Sequence, residues 1–393
     1  MLHLALFAAA LIADFPGGTV GKADWVSPDH LRVHVEGQAD QDGRNRQANW
    51  YYFRLDGVKG RPLTIELTDV VGEYNYKPGS HAVSKDTHPV FSYDDATWTN
   101  VETIEWDDDK KELRFHITPE SDTLWIAHTP PYTLGNLARL EADFYKKPYF
   151  DRAPAGWTVE GRPMPLWTIS EAPADAPVIW LMFRQHSWES GTSWAGDGAM
   201  RFLLGDSDEA AQLRKQFLWK VFPVADPDGI EIGGVRFNVN GYDLNRNWDN
   251  IDPKLMPEIA AQHGAIERWL KRGGRIDFFL SLHNTETGEY VEGPEKYRDL
   301  VNLFRRNLTA ISNFEETRKE PQDAAISSTP GMKGRMTVNQ GLFADFGIPA
   351  MLMESRVSRH PKLGGRFRSI EDWQAFGAGI IRAAAAAVSG KGL

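Results

Sequence analysis

His186 and Glu189 form an HxxE pair, so one turn of chain can aim an imidazole and a carboxylate at the same point. They follow Val178-Ile-Trp-Leu-Met-Phe183, an apolar run that reads as a strand buried on both faces. His283 ends a second such run, 276–282. In open α/β sheets functional groups collect at strand ends. Two His and one Glu at such ends match the donors of a catalytic zinc site whose fourth position is left for water. The HxxE pair alone carries little weight in a chain with 11 His, where a surface His near a surface Glu is the plainer reading. The second strand-end His adds the weight. Glu354 follows a third apolar run, 348–353, where a carboxylate is costly unless paired or solvated in a cleft. It reads either as a general base beside a metal-activated water or as the salt-bridge partner of Arg356 or Arg359. Arg236 and Arg246, with a nearby amide, suit an anionic substrate because a guanidinium fork matches a carboxylate. Otherwise Arg246 simply pairs with surface acids.

These residues need a sheet to hold them, and from about Trp167 strands and helices alternate. The pattern predicts a helix over 208–216, a strand over 217–222, a turn at Ala225-Asp-Pro-Asp-Gly229, a helix over 257–272 with Pro first and Gly273-Gly274 after it, and a closing helix over 373–388. This is an α/β domain. Upstream, aromatic and β-branched segments at 49–55, 63–67, 112–118 and 123–127 predict an antiparallel β-sandwich, with a hairpin at Asp107-Asp-Asp-Lys-Lys111. Between the two, 134–145 reads as a helix and 146–163 as a linker.

The 393 residues fit two domains. With no cysteine, disulfides, thiol catalysis and Cys-ligated metal centres are excluded, and any metal must sit on His and carboxylates. A net charge of −10 argues against nucleic acid as a partner. The apolar run 4–13 is too short to span a bilayer, which takes about 20 residues, and no other run approaches that length. It fits a signal-peptide core cut after Ala13, predicting a secreted or periplasmic protein without stable membrane insertion. The alternative is a short buried strand or helix of a cytoplasmic protein.

Taken in order, His186xxGlu189, the Asp-Pro-Asp-Gly turn, Arg236, Asp243-Leu-Asn245-Arg246-Asn-Trp248, Ser281-Leu-His283 and Met353-Glu354 resemble the zinc metallocarboxypeptidases. Asn49-Trp-Tyr-Tyr-Phe-Arg54, Tyr74-Asn-Tyr76 and Ile126-Ala-His-Thr-Pro-Pro-Tyr-Thr133 resemble the N-terminal β-sandwich of the cytosolic-carboxypeptidase-like, deglutamylase-type branch. After the leader 1–13, the resemblance implies a β-sandwich over 14–150, and over 151–393 a zinc carboxypeptidase-like mixed sheet with flanking helices.

It also implies roles. His186, Glu189 and His283 would bind one Zn²⁺ per chain. Glu354 would take the proton of the activated water and pass it to the leaving amine, while Arg236 would stabilise the oxyanion. Asn245 and Arg246 would hold the free C-terminal carboxylate of a peptide, and Asp243 would orient His186. Arg335, with Lys333 as the alternative, would select an acidic C-terminal side chain. The chain departs from the family in three places. It has no Tyr after Tyr297, it carries Asp226 where the turn usually has Asn, and Lys333-Gly-Arg335 lies unusually far before Glu354. The expected activity is removal of a C-terminal, Glu-like residue. The alternatives are a zinc amidase or deacylase acting on N-acyl amino acids or cell-wall peptides, and a non-catalytic peptide-binding homologue.

Overall fold

The computed structural model describes residues 9–79, 81–318 and 332–393. The chain divides into two compact units, one holding the chain up to Pro131 with Ile230–Val235, the other Tyr132–Gly229 with Arg236–Leu393.

The first unit contains two five-stranded sheets and a four-stranded one. Alternation along His30–His34, Leu63–Thr68 and Glu112–Ile117 turns Leu31, Val33, Ile65, Leu67, Leu113 and Phe115 inward. Phe53, Leu55, Leu124 and Ile126 of the other large sheet meet them, which makes the predicted sandwich. Pairing is antiparallel except between His30–His34 and Leu63–Thr68, which run parallel. The expected hairpin joins Glu105–Asp107 to Glu112–Ile117. Of the apolar leader, residues 1–8 lie outside the described residues, while Ala10–Ile12 form an edge strand antiparallel to Arg54–Asp56.

The second unit is built on a seven-stranded mixed sheet. Its parallel centre runs Leu218–Phe222, Val178–Phe183, Phe278–Thr285, Ala350–Arg356. Antiparallel strands Phe150–Trp157 and Pro163–Ile169 extend one side and Tyr290–Glu292 the other. Val178–Phe183 is apolar throughout because both its faces are covered. Ile179, Leu181 and Phe183 enter one cluster with residues of helices Ser190–Leu204 and Ile370–Val388. Val178, Trp180 and Met182 enter the other with residues of Pro257–Lys271 and Val338–Phe346. The first helix pair packs backbone against backbone. A Cβ on Gly198 would lie 2.1 Å from the Gln374 carbonyl oxygen, and one on Gly377 1.8 Å from that of Ala195.

Three boundaries differ from expectation. The units part at Pro131–Tyr132 and not after residue 150, because Leu140 of helix Leu134–Phe144 is buried in the second unit's core and Phe150–Trp157 belongs to its sheet. Half of the expected linker 146–163 is that edge strand, which tolerates Pro154 at a bulge beside Gly156. The strands Phe278–Thr285 and Ala350–Arg356 run past their apolar stretches, so His283 and Glu354 lie within strands. Among the described residues no helix is long and apolar enough to cross a membrane.

Candidate active site

His186 and Glu189 occupy the loop leaving Val178–Phe183, and Glu189 caps helix Ser190–Leu204. His283 lies on the neighbouring parallel strand, one residue past Leu282, the partner of Phe183. His186 Nδ1 is 2.7 Å from Glu189 Oε1, and His283 Nδ1 is 3.1 Å from Glu189 Oε2. All three residues are buried, with candidate ligand atoms within 4.8 Å of one another. The close approach of His283 Nδ1 to Glu189 Oε2 is not a hydrogen bond, and both atoms are buried without one. Two imidazole nitrogens and a carboxylate thus converge with orphaned atoms, which a cation would satisfy, and the N/O donor set fits Zn²⁺. The far ring nitrogens are held as well. His186 Nε2 lies 3.0 Å from Asp243 Oδ1 and His283 Nε2 3.1 Å from Ser281 Oγ, contacts that leave Nδ1 of each ring for a metal. Burial opposes the charge on Glu189, but the two imidazoles overcome it and hold its pKa low.

The ligand loop is braced by residues that sequence reasoning missed. Arg184 adopts a left-handed conformation with φ 56°, uncommon for a residue with a side chain. Its buried guanidinium donates to Ser187 O at 2.8 Å and Ser193 Oγ at 3.1 Å. Burial pulls its pKa down to about 9, which still leaves it charged at neutral pH. Gln185 Nε2 donates to Leu244 O at 2.6 Å, and Ser187 Oγ donates to Asp226 Oδ2 at 3.1 Å.

Glu354 is the cross-strand partner of His283, so both side chains emerge on the same face of the sheet. Its Oε2 is shielded from solvent and makes no hydrogen bond. Burial and repulsion from Glu189 raise its pKa well above the usual carboxylate range, and Arg236 offsets part of that. Arg236 Nε donates to Asp243 Oδ2 at 2.7 Å, so one carboxylate bridges a metal-site imidazole and a guanidinium.

Asn245 is buried, and its Oδ1 accepts the N–H of Val338, the first residue of helix Val338–Phe346. Arg246 is half-buried, with Nη1 donating to Asn245 O at 2.7 Å. Gly334 N and Met336 N each donate to the Asp249 carboxylate at 3.0 Å, and Asn247 N donates to Gly334 O at 3.3 Å. These bonds bring half-buried Arg335 alongside the Asn245–Arg246 wall, whereas Lys333 is exposed. Two more missed residues, Tyr290 and Glu292, lie beside Glu354 on a strand too short to show a period; they pair with Glu354 and Leu352.

The comparisons with known proteins agree with this geometry. Residues 11–128 match the family model of the cytosolic carboxypeptidase N-terminal domain, and residues 150–336 that of zinc carboxypeptidase. An uncharacterised protein of Zymomonas mobilis is 27% identical over 309 residues, 77% of this chain and 76% of its own length. Cytosolic carboxypeptidase 1 of Danio rerio is 30% identical over 180 residues, 42% of this chain. Cytosolic carboxypeptidase 2 of Homo sapiens is 28% identical over 257 residues, 58% of this chain. The chain spans only 16% and 28% of those two proteins' lengths. The fold is shared with a metallo-carboxypeptidase from Burkholderia cenocepacia, with a TM-score of 0.83 and 24% identity over 98% of this chain and 100% of that one. It is shared too with a metallo-carboxypeptidase from Pseudomonas aeruginosa solved with (2-guanidinoethylmercapto)succinic acid, with a TM-score of 0.81 and 23% identity over 96% and 98%. Two consecutive family models, the His–Glu–His trio and the shared fold converge: the chain belongs to the zinc carboxypeptidases, a family of peptide hydrolases, in its cytosolic-carboxypeptidase branch.

Proposed function

We propose that the protein removes the C-terminal residue of peptides, with a preference for an acidic one. The observation that carries this reading is the convergent His186–Glu189–His283 trio, with Glu189 Oε2 and His283 Nδ1 orphaned, and Glu354 beside His283 on the same sheet face. Held by that trio, zinc would supply a Lewis acid that polarises the scissile carbonyl and makes water acidic enough to ionise near neutral pH. Glu354 takes the proton of the attacking water and returns it to the leaving amine. Its raised pKa suits both halves of that exchange. Arg236, whose Nε is held by Asp243, stabilises the developing oxyanion. Asn245, whose Oδ1 is engaged by Val338, and the Arg246 guanidinium together hold the terminal carboxylate. Arg335, on the same wall, meets the acidic side chain.

The test is a release profile. The zinc-loaded protein should free C-terminal residues from a mixed peptide library, Glu first, and a chelator should stop it. His283→Ala should lose most of its zinc by elemental analysis while keeping its fold. No residue released, or wild-type zinc in His283→Ala, would reject the reading.

We also propose export. The support is the apolar leader, and since Ala10–Ile12 pair with Arg54–Asp56, a cut that spares the sheet lies before Ala10. The mass of the protein from its native host should lack the leader; a mature chain starting at Met1 would overturn the export.

A further inference from the structure

We infer that Glu292 and Arg318 form a charge-paired specificity element that sets the electrostatic sign of the pocket for the substrate's C-terminal side chain. This rests on the carboxypeptidase reading above and extends it to residues outside the expected site.

Placement comes first. Tyr290 and Glu292 are two apart on one strand and so share a face; their cross-strand partners Glu354 and Leu352 lie on that face too. It is also the face of His283, the partner of Glu354 on the other side. Glu292 therefore stands beside the reacting groups. It is near enough to Arg246 to feel that guanidinium, and near enough to Glu354 to repel it. A terminal carboxylate held by Arg246 brings the side chain of the same residue into this space.

A lone carboxylate there would repel an acidic side chain and attract a basic one. Arg318 cancels it. Its Nη1 donates to Glu292 Oε2 at 3.0 Å, and its guanidinium carbon lies 3.1 Å from the centre of the Tyr290 ring. The backbone presents Arg318 in this way because the preceding residues lie along the open edge of the Tyr290 strand. Thr317 N donates to Glu289 O at 2.7 Å, Glu289 N to Thr317 Oγ1 at 3.0 Å, and Val291 N to Glu316 Oε2 at 3.4 Å. The edge is thus covered and Arg318 swings over onto the catalytic face. With the pair intact, this wall does not oppose the acidic preference assigned to Arg335. With either partner removed, the wall takes the charge of the one that remains.

The experiment measures binding in the Glu354→Gln background by titration calorimetry, using three peptides identical except for a terminal Glu, Leu or Lys. Wild-type cleavage of the same peptides is followed in parallel. Arg318→Gln should raise the Lys-to-Glu affinity ratio about tenfold or more, and Glu292→Gln should lower it comparably, because a like charge in a desolvated pocket costs a kcal/mol or more. The Leu peptide should move less than about threefold in both, and Arg318→Lys should keep the wild-type order. Ratios unchanged in both variants, shifted in the same direction, or equal losses on all three peptides would overturn the proposal, the last by showing a merely structural pair. If Arg318→Gln does not fold, Glu292→Gln and Arg318→Lys decide. If the wild type cleaves none of the peptides, the carboxypeptidase reading falls, while the affinity ratios still judge Glu292 and Arg318; absence of binding to all three overturns both.

Discussion

Glu289, fully buried, and Glu354, half-buried with one oxygen shielded, lie at the same end of one sheet, and their surroundings could hardly differ more. Glu289 is fully buried and fully engaged. It receives His360 Nε2 at 2.9 Å, Arg368 Nη2 at 2.6 Å and the Glu315 N–H at 2.8 Å. Burial opposes its charge, but His360 and Arg368 win and hold its pKa below the ordinary value. Glu354 has an oxygen with no hydrogen bond, a second carboxylate nearby, and a pKa pushed upward. The first arrangement ties together the Tyr290 strand, the end of the Glu354 strand and the 313–317 segment. The second leaves a carboxylate oxygen that nothing nearby satisfies, as the proton carrier proposed above would need. On one sheet, satisfaction marks the structural carboxylate, and its absence marks the one proposed to react.

The contrast breaks most sharply at the reactive end. Glu354→Gln should lose about 10²–10⁴-fold in kcat with its melting temperature nearly unchanged, because the isostere keeps the packing and removes the base. Turnover and a melting curve on the same preparation check this; a variant within a few-fold of wild type would make Glu354 a second structural acid. Glu289→Ala should do the reverse. Leaving Arg368 and His360 buried without their acid should cost about 3–5 kcal/mol in denaturant unfolding, while the folded fraction turns over within a few-fold of wild type.

Asp226 sharpens the comparison as an intermediate case. It accepts from Gly229 N at 3.0 Å and from Ser187 Oγ, yet burial and nearby Glu258 raise its pKa from 3.8 to about 7. The folded protein therefore holds a proton that the unfolded chain releases near pH 4, and stability falls as pH rises from about 4 to about 7. Asp226→Asn keeps the contact to Gly229, can donate to Ser187 and has no proton to lose. Its stability advantage should be absent below pH 4 and reach at most roughly 4 kcal/mol above pH 7. Thermal unfolding at the two pH values tests this, and an equal effect at both would place the ionisation elsewhere. The smallest effect is expected on the substrate wall. Arg335→Leu should lower kcat/KM for a Glu-ended peptide about 10–150-fold, the loss of one charge-assisted pair, and spare a Leu-ended one. Arg246→Ala should impair both. Equal losses on the two peptides in Arg335→Leu would remove Arg335 as the selector and turn attention to Lys333.

Much of this was legible in the sequence where physical chemistry leaves a local mark. His186, His283 and Glu354 stand out because each comes at or shortly after the end of an apolar run that a doubly covered strand explains. The paired aromatic segments of the first unit announce a sandwich for a similar reason. The bracing was not legible. Arg184 looks like any loop arginine until its left-handed backbone folds the guanidinium into the ligand loop. Helix Ser190–Leu204 contains Gly191 and Gly198, poor helix formers whose value lies in Trp373 and Gln374, far along the chain. Tyr290–Glu292 is too short for any period, and Arg318 reaches it only through edge contacts made by Glu316 and Thr317.

The backbone contact at Gly198 and Gly377 bears on when the protein can first hold its ion. Glu189 caps a helix whose position depends on helix Ile370–Val388, which leaves the ribosome long after all three ligands have been made. A contact of such sequence separation closes late and slowly. The nascent chain therefore carries its three ligands, complete at His283, without the shape that would make them selective until Ile370–Val388 has been made. Tight metal uptake waits until helix Ile370–Val388 has been made and has docked on helix Ser190–Leu204.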